Sequence, residues 1–133
     1  MINRCWQGVT GLAIAALACA SAAQTYPIKP VRVIVPFAAG SGSDSNVRLY
    51  GELLAKRWGQ TIVVENRPGG DGAVAAHIVK SAAPDGYTLM VGSSGPMTVN
   101  MVTVKDLSYH PLKDFRPVIL FALGTVAFVT GAG

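Results

Sequence analysis

The sequence predicts an α/β fold with a parallel sheet built from βα units. Three short runs rich in β-branched and other apolar residues, at positions 31–35, 61–65 and 88–92, are each followed by a loop of glycine and serine. Helical periodicity separates the first run from the second and the second from the third. Strands that alternate with helices at this spacing form right-handed βαβ units. The 133 residues suffice for one compact domain but not for two full ones.

The first βα unit has the clearest sequence pattern. Its run at 31–35 is too continuous to alternate between faces, as expected of a strand that is buried on both sides. The loop Gly40-Ser41-Gly42-Ser43 follows the strand. Apolar residues then recur every three or four positions from Asp44 to about Trp58, which predicts an amphipathic helix that ends at Gly59.

The second unit repeats this order. A strand at 61–65 leads to a glycine loop at 66–72 and to a helix at 73–82, and a turn at 84–86 precedes the third strand at 88–92. The last third differs, because a loop around Tyr109 and Phe115 is followed by two strand-like runs at 118–122 and 126–130. No helix covers these runs, so we expect a truncated α/β chain.

The N-terminus predicts a signal peptide over residues 1–22. Arg4 precedes an apolar stretch at 8–18, and Ala20-Ser21-Ala22 is a cleavage site of the A-x-A type. Polar residues interrupt the stretch before it reaches the length of a membrane anchor. A lipoprotein remains a minor alternative, since Leu17 lies one place from the position that a lipobox at Cys19 needs. Cleavage would remove both cysteines, which fits an oxidising periplasm.

Composition and motifs exclude several functions. The formal charge is +4 with the basic residues dispersed, so no stripe for nucleic acid is visible, and the 50% apolar content excludes long-range disorder. Two distant histidines, His77 and His110, and no mature cysteine give neither a metal site nor a cofactor site. The segment Gly92-Ser93-Ser94-Gly95 is one residue shorter than a nucleophile elbow, so we expect no catalytic residue and no enzyme.

The three glycine and serine loops are the candidate site. The loops that follow parallel strands converge on one edge of the sheet, where ligands bind. A helix N-terminus directly after each loop offers free N–H groups and a positive dipole end, and two or three such ends that face one crevice favour an anion. Each glycine could also serve turn geometry alone.

Two aspartates in these loops have structural alternatives. Ser41 and Asp44 fit a capping box in which the carboxylate of Asp44 turns back onto the Ser41 amide. Asp71 precedes the second helix and could be a plain N-cap. Either residue could instead contact a ligand.

A Rossmann-like dinucleotide-binding fragment of an oxidoreductase is the alternative function. The loop from Gly40 to Ser45 opens a helix after a strand, and Glu65 ends the next strand, as in a dinucleotide fingerprint. Ser45 replaces the third glycine, which permits close packing of helix and strand, so the fingerprint is incomplete.

Several motifs together resemble the extracytoplasmic solute-binding proteins of tripartite tricarboxylate transporters, the Bug family. They are Tyr26-Pro27-x-Lys29-Pro30, Pro36-Phe37-Ala38-Ala39-Gly40-x-Gly42-x-Asp44, Val64-Glu65-Asn66-Arg67-Pro68-Gly69, Pro84-Asp85-Gly86-Tyr87-Thr88-Leu89, Asn100 and Tyr109-x-Pro111-x-x-Asp114-Phe115. The resemblance covers nearly all of the chain after the signal peptide.

The resemblance implies a type II periplasmic-binding-protein fold, whose two α/β lobes close on a small organic carboxylate and deliver it to membrane permease subunits. It also implies that residues 23–122 form an incomplete first lobe, and that residues 123–133 begin a second lobe that is mostly absent. The implied ligand contacts come from the first two loops, and the third loop adds two serines by its place on the same edge. These candidates are Phe37, Ala39, Gly40, Ser41, Gly42, Ser43, Asp44, Gly70, Asp71, Gly72, Ala73, Ser93 and Ser94.

Two positions depart from the family pattern. Ser41 stands where a second consecutive glycine is usual, and Gly70-Asp71-Gly72-Ala73 stands where G-A-G-G-N or a close relative of it is common. The extra carboxylate of Asp71 would repel a polyanion such as citrate, so the class of ligand stays open.

Overall fold

A three-stranded parallel sheet organises the chain, which we describe from a computed structural model over residues 26–124 and 130–131. Strand β1 (Val31–Val35) lies in the centre, with β2 (Ile62–Asn66) on one side and β3 (Thr88–Met90) on the other. Val33 pairs with Val64 of β2 and with Leu89 of β3, and both pairings are parallel. The α/β fold with a parallel sheet is therefore confirmed.

Helices connect the strands close to where the sequence predicts them. They are α1 (Gly42–Trp58), α2 (Ala73–Lys80), a π-helical stretch (Gly95–Val99) that continues into α3 (Asn100–Thr103), and α4 (Pro111–Asp114). Helix α1 ends at Gly59, whose φ of 66° is left-handed and whose N–H donates to the carbonyl of Ala55. Helix α2 and strand β3 both stop slightly before their predicted ends at Ala82 and Gly92.

Both faces of the sheet are covered by a helix. Val47 of α1 packs with the buried Val35 and Val91 on one face. Helix α2 contacts β1 and β3, and its Ala75 and Ala76 are fully buried. The two crossovers run in opposite directions across the sheet, so right-handed connections place α1 and α2 on opposite faces.

The central strand is less buried than the sequence predicts. Val31, Ile34 and Val35 are fully buried, but Arg32 is exposed and its Nε donates to Glu65 Oε1 at 2.7 Å. The Glu65 carboxylate compensates for the charge of Arg32, which lies between the buried Val31 and the partly buried Val33.

Two predictions about the last third are wrong. Residues 118–122 form no strand and pair with no other strand of the described chain; Val118, Ile119 and Leu120 are more than 70% exposed. A β-branched run needs a partner edge for its backbone hydrogen bonds, and here only the ring of Phe121 makes an aromatic contact, with Tyr50 of α1.

The predicted loop around Tyr109 and Phe115 instead contains one helical turn, α4. His110 caps it, since its Nδ1 accepts a hydrogen bond from the N–H of Leu112 at 3.3 Å, and Asp114 Oδ2 accepts one from the N–H of His110 at 2.8 Å. Pro111 at the first helical position favours the turn because its φ is already helical.

Two sequence motifs meet at the amino edge of the sheet, opposite the predicted site. Tyr26 donates from its hydroxyl to the carbonyl of Gly86 at 2.7 Å, and Lys29 Nζ lies 3.0 Å from Asp85 Oδ2. The Tyr87 ring packs against Tyr26, with ring centroids 5.0 Å apart. These contacts tie the segment before β1 to the turn before β3.

Some predictions fall outside the described residues. The signal peptide at 1–22 lies there entirely, and so does most of the strand predicted at 126–130. The domain boundaries at 22 and 122 therefore stay predictions. Within the described part of the chain, no helix is long and apolar enough to cross a membrane.

Candidate functional site

Three loops lie at the carboxyl edge of the sheet. Loop 1 (residues 36–41) follows β1, loop 2 (residues 67–72) follows β2, and loop 3 (residues 91–94) follows β3. They share one edge because the three strands are parallel. The strand order β2-β1-β3 places the topological switch point between β1 and β3, which is where the crevice of such sheets lies.

Every predicted ligand-contact residue belongs to these loops or to the helical turn directly after them. In loop 1 and the first turn of α1 lie Phe37, Ala39, Gly40, Ser41, Gly42, Ser43 and Asp44. In loop 2 and at the start of α2 lie Gly70, Asp71, Gly72 and Ala73, and in loop 3 lie Ser93 and Ser94.

The first turn of α1 presents backbone donors at this edge. Ser41 caps the helix, because its Oγ accepts a hydrogen bond from the N–H of Asp44 at 3.3 Å. The N–H of Ser45 donates to the Ser41 carbonyl at 2.9 Å, whereas the N–H groups of Gly42 and Ser43 have no backbone acceptor within the described residues. Two free donors at the positive end of a helix can bind an anion.

Asp44 is engaged inside the protein. Its residue is only 3% exposed, and its carboxylate accepts hydrogen bonds from the Gly40 N–H at 2.8 Å, from Arg48 Nε at 3.0 Å and from Asn66 Nδ2 at 2.9 Å. The capping box predicts that this carboxylate accepts a hydrogen bond from the Ser41 amide. It accepts one from the Gly40 amide instead. Ser41 and Gly40 are adjacent, and the left-handed φ of 81° at Gly40 aims its N–H at Asp44.

These hydrogen bonds also set the charge of Asp44. Arg48 is the main cause, with the Gly40 amide and Asn66 next, and together they lower the pKa of the Asp44 carboxyl from 3.8 to about 2. Asp44 is therefore ionised at neutral pH, and Arg48 balances its charge.

Asn66 joins loop 1 to the end of β2, a role that sequence reasoning missed. Its Nδ2 donates to the Phe37 carbonyl at 3.1 Å as well as to Asp44, and its Oδ1 accepts from Arg48 at 2.9 Å. The signal was present, because Asn66 is a polar residue at the carboxyl end of a strand within a quoted family motif. The result is a fixed spacing between loop 1 and β2.

Loop 2 has an unusual backbone. Gly69, Gly70, Asp71 and Gly72 all have positive φ, with 47° at Asp71. A side chain at Gly72 would place its Cβ 2.9 Å from Pro96, so only glycine lets loop 2 approach the segment after loop 3. Gly72 precedes α2 and no side chain caps that helix, so the N-cap role considered for Asp71 is wrong.

Asp71 instead points toward the segment after loop 3. A Cβ on Gly95 would lie 2.7 Å and 3.0 Å from the two Asp71 carboxylate oxygens, so the carboxylate rests against the Gly95 backbone. The Asp71 residue is exposed. Loops 2 and 3 therefore meet through Asp71 and Gly95.

A buried amide holds this junction together. Asn100, 1% exposed, donates from Nδ2 to the Asp71 carbonyl at 3.1 Å and to the Tyr109 hydroxyl at 3.3 Å. The Tyr109 hydroxyl in turn donates to the Pro96 carbonyl at 2.8 Å. Sequence reasoning quoted Asn100 and Tyr109 as family motifs but assigned neither residue to the site.

Loop 3 makes fewer hydrogen bonds at this edge than loops 1 and 2 do. The Ser93 carbonyl accepts a hydrogen bond from the Met97 N–H at 3.1 Å, which starts the π-helical stretch, and Ser94 is exposed at its beginning. A separate open groove of about 480 Å³ lies between α1 and β2, lined by residues such as Glu52, Gln60 and Ile62, and it does not include the three loops.

Metal and dinucleotide chemistry find little support at this edge. In the described ranges, no group of three His, Cys, Asp or Glu residues is arranged to hold a metal ion. Glu65, which a dinucleotide site would need for the ribose, is paired with Arg32 at 2.7 Å and with Arg67 at 3.1 Å. Arg32 above all holds the pKa of the Glu65 carboxyl below its ordinary value.

Comparison with known proteins identifies relatives of this arrangement. Residues 47–132 match the tripartite tricarboxylate transporter family receptor, TctC. The chain is 42% identical to a UPF0065 protein of Bordetella bronchiseptica over 113 residues, which are 85% of this chain and 34% of that protein. The chain thus spans about a third of the length of this curated relative. A family of receptors gives no support to the dinucleotide alternative.

Two solved structures share the fold. MatC from Rhodopseudomonas palustris, with bound malate, is 44% identical with a TM-score of 0.66, over 70% of this chain and 32% of MatC. The periplasmic binding protein BugD is 35% identical with a TM-score of 0.64, over 69% of this chain and 30% of BugD. With a family match over more than half of its length, the chain belongs to the tripartite tricarboxylate transporter receptors, a family of periplasmic binding proteins.

Proposed function

We propose that this chain captures a small organic carboxylate in the periplasm and presents it to the membrane permease subunits of a tripartite tricarboxylate-type transporter. The observation that carries the proposal is the first turn of α1, where the Gly42 and Ser43 N–H groups are free at the carboxyl edge. Capture of this kind needs no catalytic residue, cofactor or metal ion.

Charge and position support a carboxylate as the ligand. The negative charge of Asp44 is already balanced by Arg48, so it leaves the free N–H donors of α1 available to a second anion. Loops 1 and 2 are held in place by Asn66 and Asn100, which makes their backbone a preformed surface. In this proposal the ligand contacts the backbone of Gly40–Ser43 and Gly70–Ala73, with Phe37, Ser93 and Ser94 around it.

The relatives supply independent support. MatC has malate bound, and malate is a small organic carboxylate. Because the chain spans about a third of its relatives, the activity of the whole protein is inferred here from one part of the fold. The described loops form one wall, so a bound carboxylate keeps contact with water. We expect affinity in the millimolar range, about −4 kcal/mol.

A titration of the ¹⁵N-labelled chain with propionate, followed by two-dimensional NMR, tests the proposal. The Gly42 and Ser43 amide signals are expected to shift with saturation in the millimolar range, while titration with glucose or sodium chloride leaves them in place. Shifts with glucose alone, or carboxylate shifts confined to the groove between α1 and β2, would contradict the proposal.

A proline substitution at position 42 tests whether the Gly42 N–H binds the ligand. Gly42→Pro removes one N–H at the first helical position, where proline is favoured, and the extended ψ of 159° at Ser41 suits a residue before proline. Gly42→Ala keeps the N–H, and no atom lies within 4 Å of the added Cβ. We expect weaker propionate binding in the proline variant only; equal binding in both would remove Gly42 from the site.

Export can be tested separately. Cell fractionation followed by intact-mass measurement is expected to find the chain in the periplasm, cleaved after Ala22. A chain that keeps residues 1–22, or that carries lipid on Cys19, would replace the signal peptide with one of its alternatives.

A further inference from the structure

One carboxylate at the loop edge has no role in holding the fold. Asp71 is exposed, and none of the ion pairs or side-chain hydrogen bonds among residues 26–124 involves its carboxylate. Only its backbone carbonyl is used, as an acceptor for Asn100. Its charge lies in loop 2, at the same edge of the sheet as the free donors of α1.

The backbone that carries this carboxylate is fixed by its surroundings. Both the Asp71 backbone and Gly95 belong to segments tied by the buried Asn100 and Tyr109, at 3.1 Å to the Asp71 carbonyl and 2.8 Å to the Pro96 carbonyl. The carboxylate lies so close to Gly95 that a Cβ there would be 2.7 Å from one oxygen. The charge thus lies at the junction of loops 2 and 3.

No ion pair among the described residues involves the Asp71 carboxylate. Arg48 is paired with Asp44, and Arg67 and Arg32 are both paired with Glu65. Arg32 and Arg67 thus share the one carboxylate of Glu65, and none of the three arginines pairs with Asp71. A ligand at the edge meets N–H donors at α1 and, at loop 2, a carboxylate that forms no ion pair within residues 26–124.

We propose that Asp71 is a specificity-determining residue, which disfavours a second carboxylate on the ligand and favours a small carboxylate that also carries an ammonium group. This inference rests on the proposed capture of a carboxylate. The ligand carboxylate binds at the first turn of α1, and its ammonium group faces Asp71. A dicarboxylate of the same length places its second negative charge beside that of Asp71, where like charges repel.

Three probes of one carbon skeleton measure this preference. Propionate, β-alanine and succinate share a carboxylate followed by two further carbon atoms. The second of these atoms carries only hydrogen in propionate, an ammonium group in β-alanine and a second carboxylate in succinate. NMR titration of the ¹⁵N-labelled chain is expected to give the affinity order β-alanine, propionate, succinate. The preference is expected to weaken as salt is added, because Asp71 is exposed.

The matched variant is Asp71→Asn. Asparagine has the same shape and tolerates the left-handed φ of 47°, so the variant keeps the fold and loses only the charge. The ratio of β-alanine to succinate affinity is expected to fall about tenfold, with propionate nearly unchanged. Gly95→Ala retains the charge but displaces the carboxylate, and should lower the ratio less than Asp71→Asn does.

The outcomes separate the two proposals. If the wild-type chain binds all three probes and Asp71→Asn leaves their order and ratio unchanged, Asp71 does not set specificity, although carboxylate capture stands. If no carboxylate shifts the Gly42 and Ser43 signals, capture fails and the role of Asp71 fails with it. An unchanged ratio in Gly95→Ala, beside a fall in Asp71→Asn, supports the charge of Asp71 over its exact position.

Discussion

Loop 1 and loop 2 each place an aspartate near the end of a strand, yet the fold uses the two residues differently. Asp44 is 3% exposed and accepts hydrogen bonds from Gly40, Arg48 and Asn66. Asp71 is exposed and lends only its backbone carbonyl to the fold. The role of a carboxylate thus depends on the donors that tertiary structure brings to it, and its place after a strand does not decide that role.

The two loops also differ in how they are held. Loop 1 depends on an ionised side chain whose charge Arg48 balances. Loop 2 depends on Asn100, a neutral and buried amide, which leaves the loop's own carboxylate free. An ionised side chain at loop 1 and a neutral amide at loop 2 predict different responses to mutation and to pH.

Removal of the Asp44 carboxylate is expected to have the largest effect on stability. Asp44→Ala leaves the Gly40 N–H without its acceptor, removes one of the two acceptors of Asn66 Nδ2 and leaves Arg48 without its ion-pair partner. The melting temperature should therefore fall more than in any other variant described here. Thermal unfolding followed by circular dichroism measures this, with Glu52→Ala, an exposed acid of the same helix, as the control. A similar fall in both variants would mean that the buried network adds no stability.

Removal of the Asn100 amide should lower the stability less. Asn100→Ala takes the donor from the Asp71 carbonyl and from Tyr109, and we expect a loss of roughly 1–3 kcal/mol in the free energy of unfolding. Urea unfolding measures the loss, and Asn46→Ala, at an exposed position of α1, is the matched control with little change. A loss below that of the control would show that loop 2 keeps its conformation without Asn100.

Acid should weaken the hydrogen-bonded network of Asp44 in loop 1. The folded pKa of Asp44 is about 2, below its ordinary value of 3.8, so the unfolded chain binds the proton more readily. The contribution of Asp44 to stability is fully present above pH 3.8 and is lost as the pH falls through about 2. The protonated group still fills its place, so the effect is smaller than that of Asp44→Ala.

The measurement compares melting temperatures of the wild type and Asp44→Ala as the pH is lowered. The two curves should converge between these values, because Glu65, Asp85 and Asp114, whose pKa values are also lowered, contribute equally to both. Parallel curves would place the Asp44 charge outside the stabilising network.

The smallest effect on stability is expected at Asp71. Asp71→Asn changes a side chain that the fold does not use, so the free energy of unfolding should change by no more than about 0.5 kcal/mol. Urea unfolding beside Asn100→Ala checks this. A loss comparable to that of Asn100→Ala would show that the carboxylate supports loop 2 and would remove the contrast between the two aspartates.

The sequence was sufficient for the sheet and for the edge that carries the loops. Alternation of strand and helix patterns is a local property, and it predicted β1, β2, β3, α1 and α2 to within a few residues. The run at 118–122 has equally good strand composition but no strand beside it in the described chain. Composition reports the preference of a segment, whereas a strand exists only with a partner.

The sequence predicted where the candidate site lies, but it did not predict the hydrogen bonds that join the loops. Asn66, Asn100 and Tyr109 act on residues far from them in the chain, and no spacing rule connects Asn100 with Asp71 or Asn66 with Phe37. The choice between a cap and a ligand contact at Asp44 and Asp71 likewise needed the positions of Arg48 and Gly95. Ligand contact itself stays a prediction for every residue of the three loops.

The central position of β1 has a consequence for the time course of folding. Its neighbours in the sheet come one and two βα units later in the chain, so the first strand cannot complete its backbone pairing until β3 has formed. Pairing between segments that are distant in sequence slows folding, because loop closure precedes any gain from the contacts. A nascent chain that ends before Thr88 therefore has β2 beside β1 but leaves the other edge of β1 without its partner until the third strand is made.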